Sequence, residues 1–406
     1  MLKRFDIKKA PIIGGTLVAA LWTATAFAAP GVDTDNHTIL VGASTALSGP
    51  QSFYAQENEG ARARFEHAND TNELNGWKIK YKVVDDAYQP TRNLANVKKL
   101  VEQNDVFALV CNQGTPTNVA ASKYLKGTDV PVVGPTEGYP PLAKLPNYFV
   151  LMPNYSWEAG LATEYAIKDM GIKKVGILYE NDDLGTPAKE GAAAVLKAHG
   201  MKAVATVPFD VNTVDFSGQV GKLASAGAEA VIIWGSNGNL ASALKAASTF
   251  GFAPKWFGPF WGADPSTYRL AGSRVDGAYF TSWFEPVTVD DEATQTFVDA
   301  MHKYASKTPI GALAENGWSE ASLFVHAVKR LVKDGKAITR ANLIDSLNSF
   351  RDVDIGVVNH VTFTKENHDV GVTEETLVQA KGGEFHQATE SMAFPKAALD
   401  VTNSQE

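Results

Sequence analysis

Val175-Gly176-Ile177-Leu178-Tyr179 and Ala230-Val231-Ile232-Ile233-Trp234 decide the fold. Both runs are short, rich in β-branched residues and apolar throughout. A strand with one wet face alternates in polarity, whereas a strand covered on both faces does not. Around them, residues 187–199, 216–226 and 240–250 place apolar side chains at helical spacing. Working outward, the same alternation precedes them. Residues 39–41, 79–84, 106–111 and 130–133 read as strands, and 56–69, 91–103 and 117–126 as helices; 203–207 adds a strand to the later series. Strand–helix alternation of this kind builds parallel sheets with helices on both faces.

The first series ends near Pro146-Asn147-Tyr148-Phe149, and the second begins after a crossover near residues 151–157. The expected fold is therefore α/β, two doubly wound parallel-sheet lobes joined by a three-crossover hinge. Residues 277–284 are read as the second crossover. The helical patterns at 292–304, 319–333 and 339–348 then pack on the first lobe. Two strand-like runs, 361–363 and 376–379, lie in a stretch that crosses back to the second. The division expected is residues 1–28 as a signal peptide, 37–150 with 282–354 as lobe one, 151–281 with 355–392 as lobe two, and 393–406 as a flexible polar tail.

Lys3, Arg4, Lys8 and Lys9 open the chain, an apolar run at 12–22 follows, and Ala26-Phe27-Ala28 gives a small-x-small cleavage pattern. The run is too short to span a membrane, which takes about 20 apolar residues. Export to the periplasm with cleavage after Ala28 is expected. Losing four basic residues and Asp6 takes the net charge from −8 to −11. Such a surface repels nucleic acid and anionic membrane faces, and no later stretch is apolar for long enough to insert stably. Cys111 stands alone, so no internal disulfide forms; at the end of an apolar run it reads as a buried structural thiol. Motifs for phosphate-binding loops, zinc proteases and nucleophile elbows are missing, and the eight histidines are dispersed. An enzyme, a metal site and a cofactor are not expected.

In open α/β sheets, ligands sit beyond the carboxyl ends of the strands, where helix N-termini offer free N–H groups. Ser48-Gly49-Pro50 and Gln113-Gly114-Thr115-Pro116 leave strands at that edge. Gly114 permits close backbone approach and Thr115 adds a hydroxyl, enough to hold a carboxylate or a carbonyl. From chemistry alone, a plain helix cap is the commoner role.

Several ordered segments change that balance. Ile39-Leu40-Val41-Gly42 with Leu47-Ser48-Gly49-Pro50, then Asp85-Asp86, Gln89-Pro90, Gly114-Thr115-Pro116-Thr117-Asn118, Asn181-Asp182-Asp183-Leu184-Gly185, Phe257-Gly258-Pro259 and Gln379-Ala380-Lys381-Gly382-Gly383-Glu384-Phe385 follow one another at characteristic spacing. In these pieces, spread over residues 37–390, the chain resembles the branched-chain amino-acid-binding family of ABC-transporter receptors, periplasmic binding protein type I. The resemblance implies a ligand cleft between the lobes, hinge closure and delivery to permease subunits at the inner membrane by a monomer. A periplasmic sensor presenting the closed form to a signalling receptor is the alternative.

It also implies contacts from Gln113, Gly114 and Thr115, and from Thr136 and Gly138 in the turn after the fourth strand. Glu137 between them adds a charge, though an exposed loop glutamate more often faces solvent. Tyr54 fits the family's aromatic lid. Asn237 lies beyond the strand ending at Trp234, and Phe260 and Trp261 follow Gly258-Pro259. Two positions depart from the pattern. Where amino-acid binders carry a carboxylate after the Gly-Pro there is Phe260, and Leu184 stands where a polar partner is usual. A buried ammonium without an acceptor is costly. The departures thus argue against an aliphatic α-amino acid and for an aromatic acid or an amide.

Overall fold

The computed structural model describes residues 29–365, 368 and 371–403. The expected signal segment, 1–28, lies outside them.

Six strands form the first sheet: β1 (Val32–Asp33), β2 (Thr38–Thr45), β3 (Lys78–Asp85), β4 (Ala108–Val110), β5 (Val132–Val133) and β6 (Tyr148–Phe149). Parallel pairing gives the order β3-β2-β4-β5-β6, with β1 antiparallel at the start of β2. The second sheet takes β7 (Val175–Glu180), β8 (Ala205–Phe209), β9 (Ala230–Trp234), β10 (Lys255–Gly258) and β11 (Tyr279–Ser282). These run parallel in the order β8-β7-β9-β10-β11. Antiparallel β12 (Glu374–Lys381) continues the sheet, and β13 (Glu384–Gln387) and β14 (Met392–Ala393) pair with it. The run at 230–234 is buried at every residue, as its unbroken apolarity requires.

The helices are α1 (Ala55–Asp70), α2 (Pro90–Glu102), α3 (Thr115–Leu125), α4 (Pro140–Ala143), α5 (Tyr155–Lys168), α6 (Gly185–Ala198), α7 (Ser217–Ser225), α8 (Asn237–Thr249), α9 (Pro265–Ala271), α10 (Glu292–Tyr304), α11 (Ala312–Lys333), α12 (Arg340–Leu347) and α13 (Lys396–Asn403). α10 and α11 pack on α1, and α12 packs on α11, so all three belong with the first sheet. α5 and α6 pack together against the second. The chain passes between the lobes after β6, after β11 and after α12.

Both parallel sheets share one strand order: the first strand has the second on one side and the third on the other. Successive crossovers therefore leave in opposite directions on either side of the first strand. This opens a crevice at the carboxyl edge of each sheet, between β2 and β4 and between β7 and β9. The two crevices set the place of the site.

The structure corrects the sequence reading at three places. Residues 279–282 are not a crossover but the fifth parallel strand of the second sheet, and the passage begins after Ser282. Phe280, Thr281 and Ser282 of this strand are buried and Tyr279 is half-buried. Val361 makes only an isolated bridge to Val353 beside the end of α12, so 361–363 does not join the second sheet. Within the tail expected to be flexible, residues 396–403 form α13, which packs on α5 and α6 with Ala398 fully buried. Gly160 leaves the space: a Cβ there would come within 2.4 Å of the Ala398 methyl.

α1 and α11 cross with almost no space between their backbones. A Cβ on Gly60 would lie 1.8 Å from the Ala314 carbonyl oxygen, and one on Gly317 would lie 1.7 Å from that of Glu57. The crossing is further pinned by Arg64 of α1, whose Nε donates to Ser322 Oγ of α11 at 2.8 Å. Overpacking a tight contact costs about 1–3 kcal/mol. Gly317→Ala is thus expected to lower unfolding stability by that amount in urea titration, while Gly218→Ala, on the exposed first turn of α7 with nothing within 4 Å of the added Cβ, does not lower it.

Candidate functional site

Each loop at the facing sheet edges delivers specific groups. β2 runs into the turn that ends at Tyr54, placing Glu57 in the first turn of α1. β4 runs into Gln113 and Gly114 at the start of α3; Gly114 adopts φ +96, and a Cβ there would meet the Tyr88 ring at 2.6 Å. From the second lobe come Leu184 at the start of α6, Tyr155 at the start of α5 and Trp261 after β10.

One cleft is lined by Tyr54, Glu57, Tyr88, Gln113, Gly114, Thr115, Thr136, Tyr155, Leu184 and Trp261. Seven of the eleven residues singled out from sequence meet there: Tyr54, Gln113, Gly114, Thr115, Thr136, Leu184 and Trp261. The lobes are closed on each other. About 20 Å³ remains, room for little more than one water. The Tyr155 and Thr115 hydroxyls join at 2.7 Å across the gap. Nearby, the Tyr155 N–H donates to the Gly138 carbonyl at 3.1 Å, and the Leu313 N–H at the start of α11 donates to Asp264 Oδ2 at 3.2 Å. A solute enters only when these contacts part.

The other four residues do not line the cleft. Phe260 is fully buried and packs its ring edge-to-face against Trp261, Trp283 and Phe284; it is core, behind the ring that reaches the gap. The Asn237 amide donates to the Trp261 carbonyl at 2.8 Å and to Ser266 Oγ at 3.0 Å, fixing the Trp261 loop from beneath. Gly138 gives the second lobe room to approach: a Cβ would sit 2.7 Å from the Pro153 carbonyl oxygen. Glu137 is neither solvent-facing nor in the gap. It is fully buried, its Oε2 accepts the Tyr139 N–H at 2.7 Å, and burial pushes its carboxyl up to about 8.

Three lining residues were not anticipated. Glu57 begins a helical pattern and reads as a solvated first-turn acid. Tyr88 follows the Asp85-Asp86 turn at φ +59, a backbone state no sequence pattern announces. Tyr155 lay within a stretch read only as crossover, although Asn154, which caps α5 through the Ser156 N–H, marks a helix start.

The electrostatics of the gap are one-sided. Glu57 is its only charged lining side chain among the described residues, 1% exposed, and its Oε2 has no hydrogen-bond partner. Burial, and next the nearby Glu320 carboxylate, raises Glu57 well above the ordinary carboxylate range. Gln113 Oε1 is also buried without a partner. The Thr136 hydroxyl donates to Glu320 at 2.9 Å and also hydrogen bonds with the Glu57 side chain, which pulls the Glu57 carboxyl partly back down. Glu180, at the end of β7, is pushed up to about 9 by burial and then by Asp182. Thus two orphaned acceptors and four aromatic rings face each other in an acidic gap. An aromatic face attracts a cation, the more so when desolvated.

Comparison with known proteins agrees with this architecture. A family model described as periplasmic binding protein matches residues 38–384. The Leu/Ile/Val-binding protein homolog 3 of Brucella melitensis is 24% identical over 308 residues, spanning 75% of this chain and 82% of its own. A branched chain amino acid ABC transporter structure from Thermus thermophilus with bound valine superposes with a TM-score of 0.81 at 19% identity, covering 90% of this chain and 98% of that one. A fatty acid ABC transporter substrate-binding protein from Thermomonospora curvata gives the same TM-score at 20% identity, over 92% and 96%. These relatives are described as binding proteins, and their descriptions name different solutes. No helix among the described residues is long and apolar enough to cross a membrane. With the match running over most of its length, the chain belongs to the periplasmic binding protein family.

Proposed function

We propose that this protein is the substrate-binding component of an ABC importer and that its solute carries a protonated amine, as an amino acid does. The observation that carries this reading is the buried Glu57 carboxylate, with its Oε2 unpartnered, inside an aromatic gap. An ammonium supplies N–H donors to both Glu57 Oε2 and Gln113 Oε1, and its charge offsets the one that burial penalises. The Tyr54, Tyr88, Tyr155 and Trp261 rings add cation–π attraction and apolar area. Where the solute also bears a carboxylate, the open N-terminus of α3, with no side-chain cap at Gly114, suits it. The acceptor that the departure at Phe260 seemed to remove comes instead from α1.

This chemistry disfavours a simple aromatic acid, since no lysine, arginine or histidine among the described residues lines the gap. Solute bridging the lobes stabilises the closed form by its differential affinity for that form over the open one. The closed shape is what permease subunits recognise. The likeness to ABC-transporter binding proteins supports that partner.

Calorimetric titration tests the reading with leucine, phenylalanine, benzoate and benzamide. At least one amino acid should bind, benzoate should not, and Glu57→Gln should weaken binding at least tenfold. Benzoate or benzamide binding that Glu57→Gln leaves intact would overturn it.

A pH dependence follows. Burial raises the Glu57 carboxyl in the closed, empty form, so wherever it still carries its proton an ammonium guest displaces it. Raising pH removes the proton from the protein while the amine keeps its own. Affinity should therefore rise as the pH is raised above the ordinary carboxylate range, by at most about tenfold per unit for one released proton. The rise should flatten in Glu57→Gln. A wild-type affinity that falls as the pH is raised would contradict the assignment.

A further inference from the structure

The larger void between the lobes is not the cleft. Along the second passage of the chain lies a cavity of about 310 Å³, against about 20 Å³ in the gap described above. Val378 and Phe385 wall it from the second lobe, Ile310 and Ala312 from the first, and Phe284 and Val287 from the passage itself. A dry cavity of about 150 Å³ accepts benzene, so this one has room for a ring with a short chain.

Glu315, one turn into α11, lines the same cavity. It is 1% exposed, and its Oε1 has no hydrogen-bond partner. The other charged lining residue is Glu384, and no lysine, arginine or histidine takes part in the walls. Burial, then the nearby Asp291 and Glu285 carboxylates, raises the Glu315 carboxyl well above its ordinary range. An isolated buried carboxylate is among the most expensive groups a protein can hold, and several negative neighbours make the place attractive to a cation.

We propose that this cavity is a second ligand site, distinct from the cleft, for a small amine with an apolar body of about one aromatic ring, its ammonium on Glu315. The proposal stands independently of what the cleft binds. It carries a consequence for closure. Asp264 of the second lobe accepts the Leu313 N–H at the start of α11, and its other oxygen caps α9 through the Ser266 N–H at 2.8 Å. Gly311 presses so closely on Pro265 that a Cβ would lie 2.3 Å from its ring. These contacts set the separation of the two cavity walls in the closed form. An occupant touching both walls favours that form, and by reciprocity it raises affinity at the cleft.

The test uses 2-phenylethylamine and a Glu57→Gln background, so that the cleft contributes least. Calorimetry should detect binding to Glu57→Gln and a loss of at least tenfold in Glu57→Gln/Glu315→Gln. Wild-type crystals soaked in the amine should show it with nitrogen against Glu315, which decides the matter even if the double variant fails to fold. No binding to Glu57→Gln, equal binding to the two variants, or density in the cleft with this cavity empty would each overturn the proposal.

Discussion

The crossing of α1 and α11 governs what the site can do. Two glycines let the helix backbones touch, and the carbonyl against Gly317 is that of Glu57 itself. The carboxylate is therefore fixed at its root by a contact that tolerates no movement. Placed on a looser helix, it would swing toward water and find a partner there. Held where it is, it stays in the gap, buried and with its Oε2 unpartnered. Preorganisation of this kind concentrates affinity in one group, because little side-chain freedom is left to lose on binding.

A second feature gives the rigid group its switch. The first lobe contributes Glu57, Gln113 and the start of α3. The second contributes Tyr155, Leu184 and Trp261. Each lobe alone holds half a site, and around the gap the halves are joined by polar contacts, among them a pair of hydroxyls, a carbonyl and one carboxylate. Single hydrogen bonds of this type contribute about 0.5–1.5 kcal/mol each, so a guest that adds several such bonds weighs on the balance between open and closed forms. The acidic groups around the gap work in the same direction. Glu57, Glu137, Glu180 and Glu320 are all displaced upward by burial, and a cation beside Glu57 offsets the cost of its buried charge.

Much of this was legible from the chain itself. Apolar runs without alternation marked strands covered on both faces, and strand–helix alternation marked parallel sheets; both follow from burial and reach. The loop at Gly114 stands at the carboxyl edge where parallel sheets present ligands, though only the family resemblance raised it above a plain helix cap, and the turn at Leu184 came from that resemblance alone. What escaped was set by three-dimensional approach. Glu57 looks like any acid in a first helical turn until Gly317, 260 positions later, is seen beneath its carbonyl. Phe260 and Trp261 are neighbours of similar chemistry, yet one faces the core and the other the gap, a choice made by the short helical turn after Gly258-Pro259. The strand at 279–282 was mistaken for a passage because an apolar run has no mark of its sheet position. The helix at 396–403 was hidden by its polar neighbours and depends on Gly160 for its seat.

The most direct measurement is a crystal structure of the protein taken from its native compartment with whatever solute it carries. The account predicts a nitrogen of that solute at hydrogen-bond distance, about 2.7–2.9 Å, from Glu57, with aromatic rings around it. A solute whose carboxylate or apolar end occupies that place, with Glu57 turned away or bonded to protein, would contradict it.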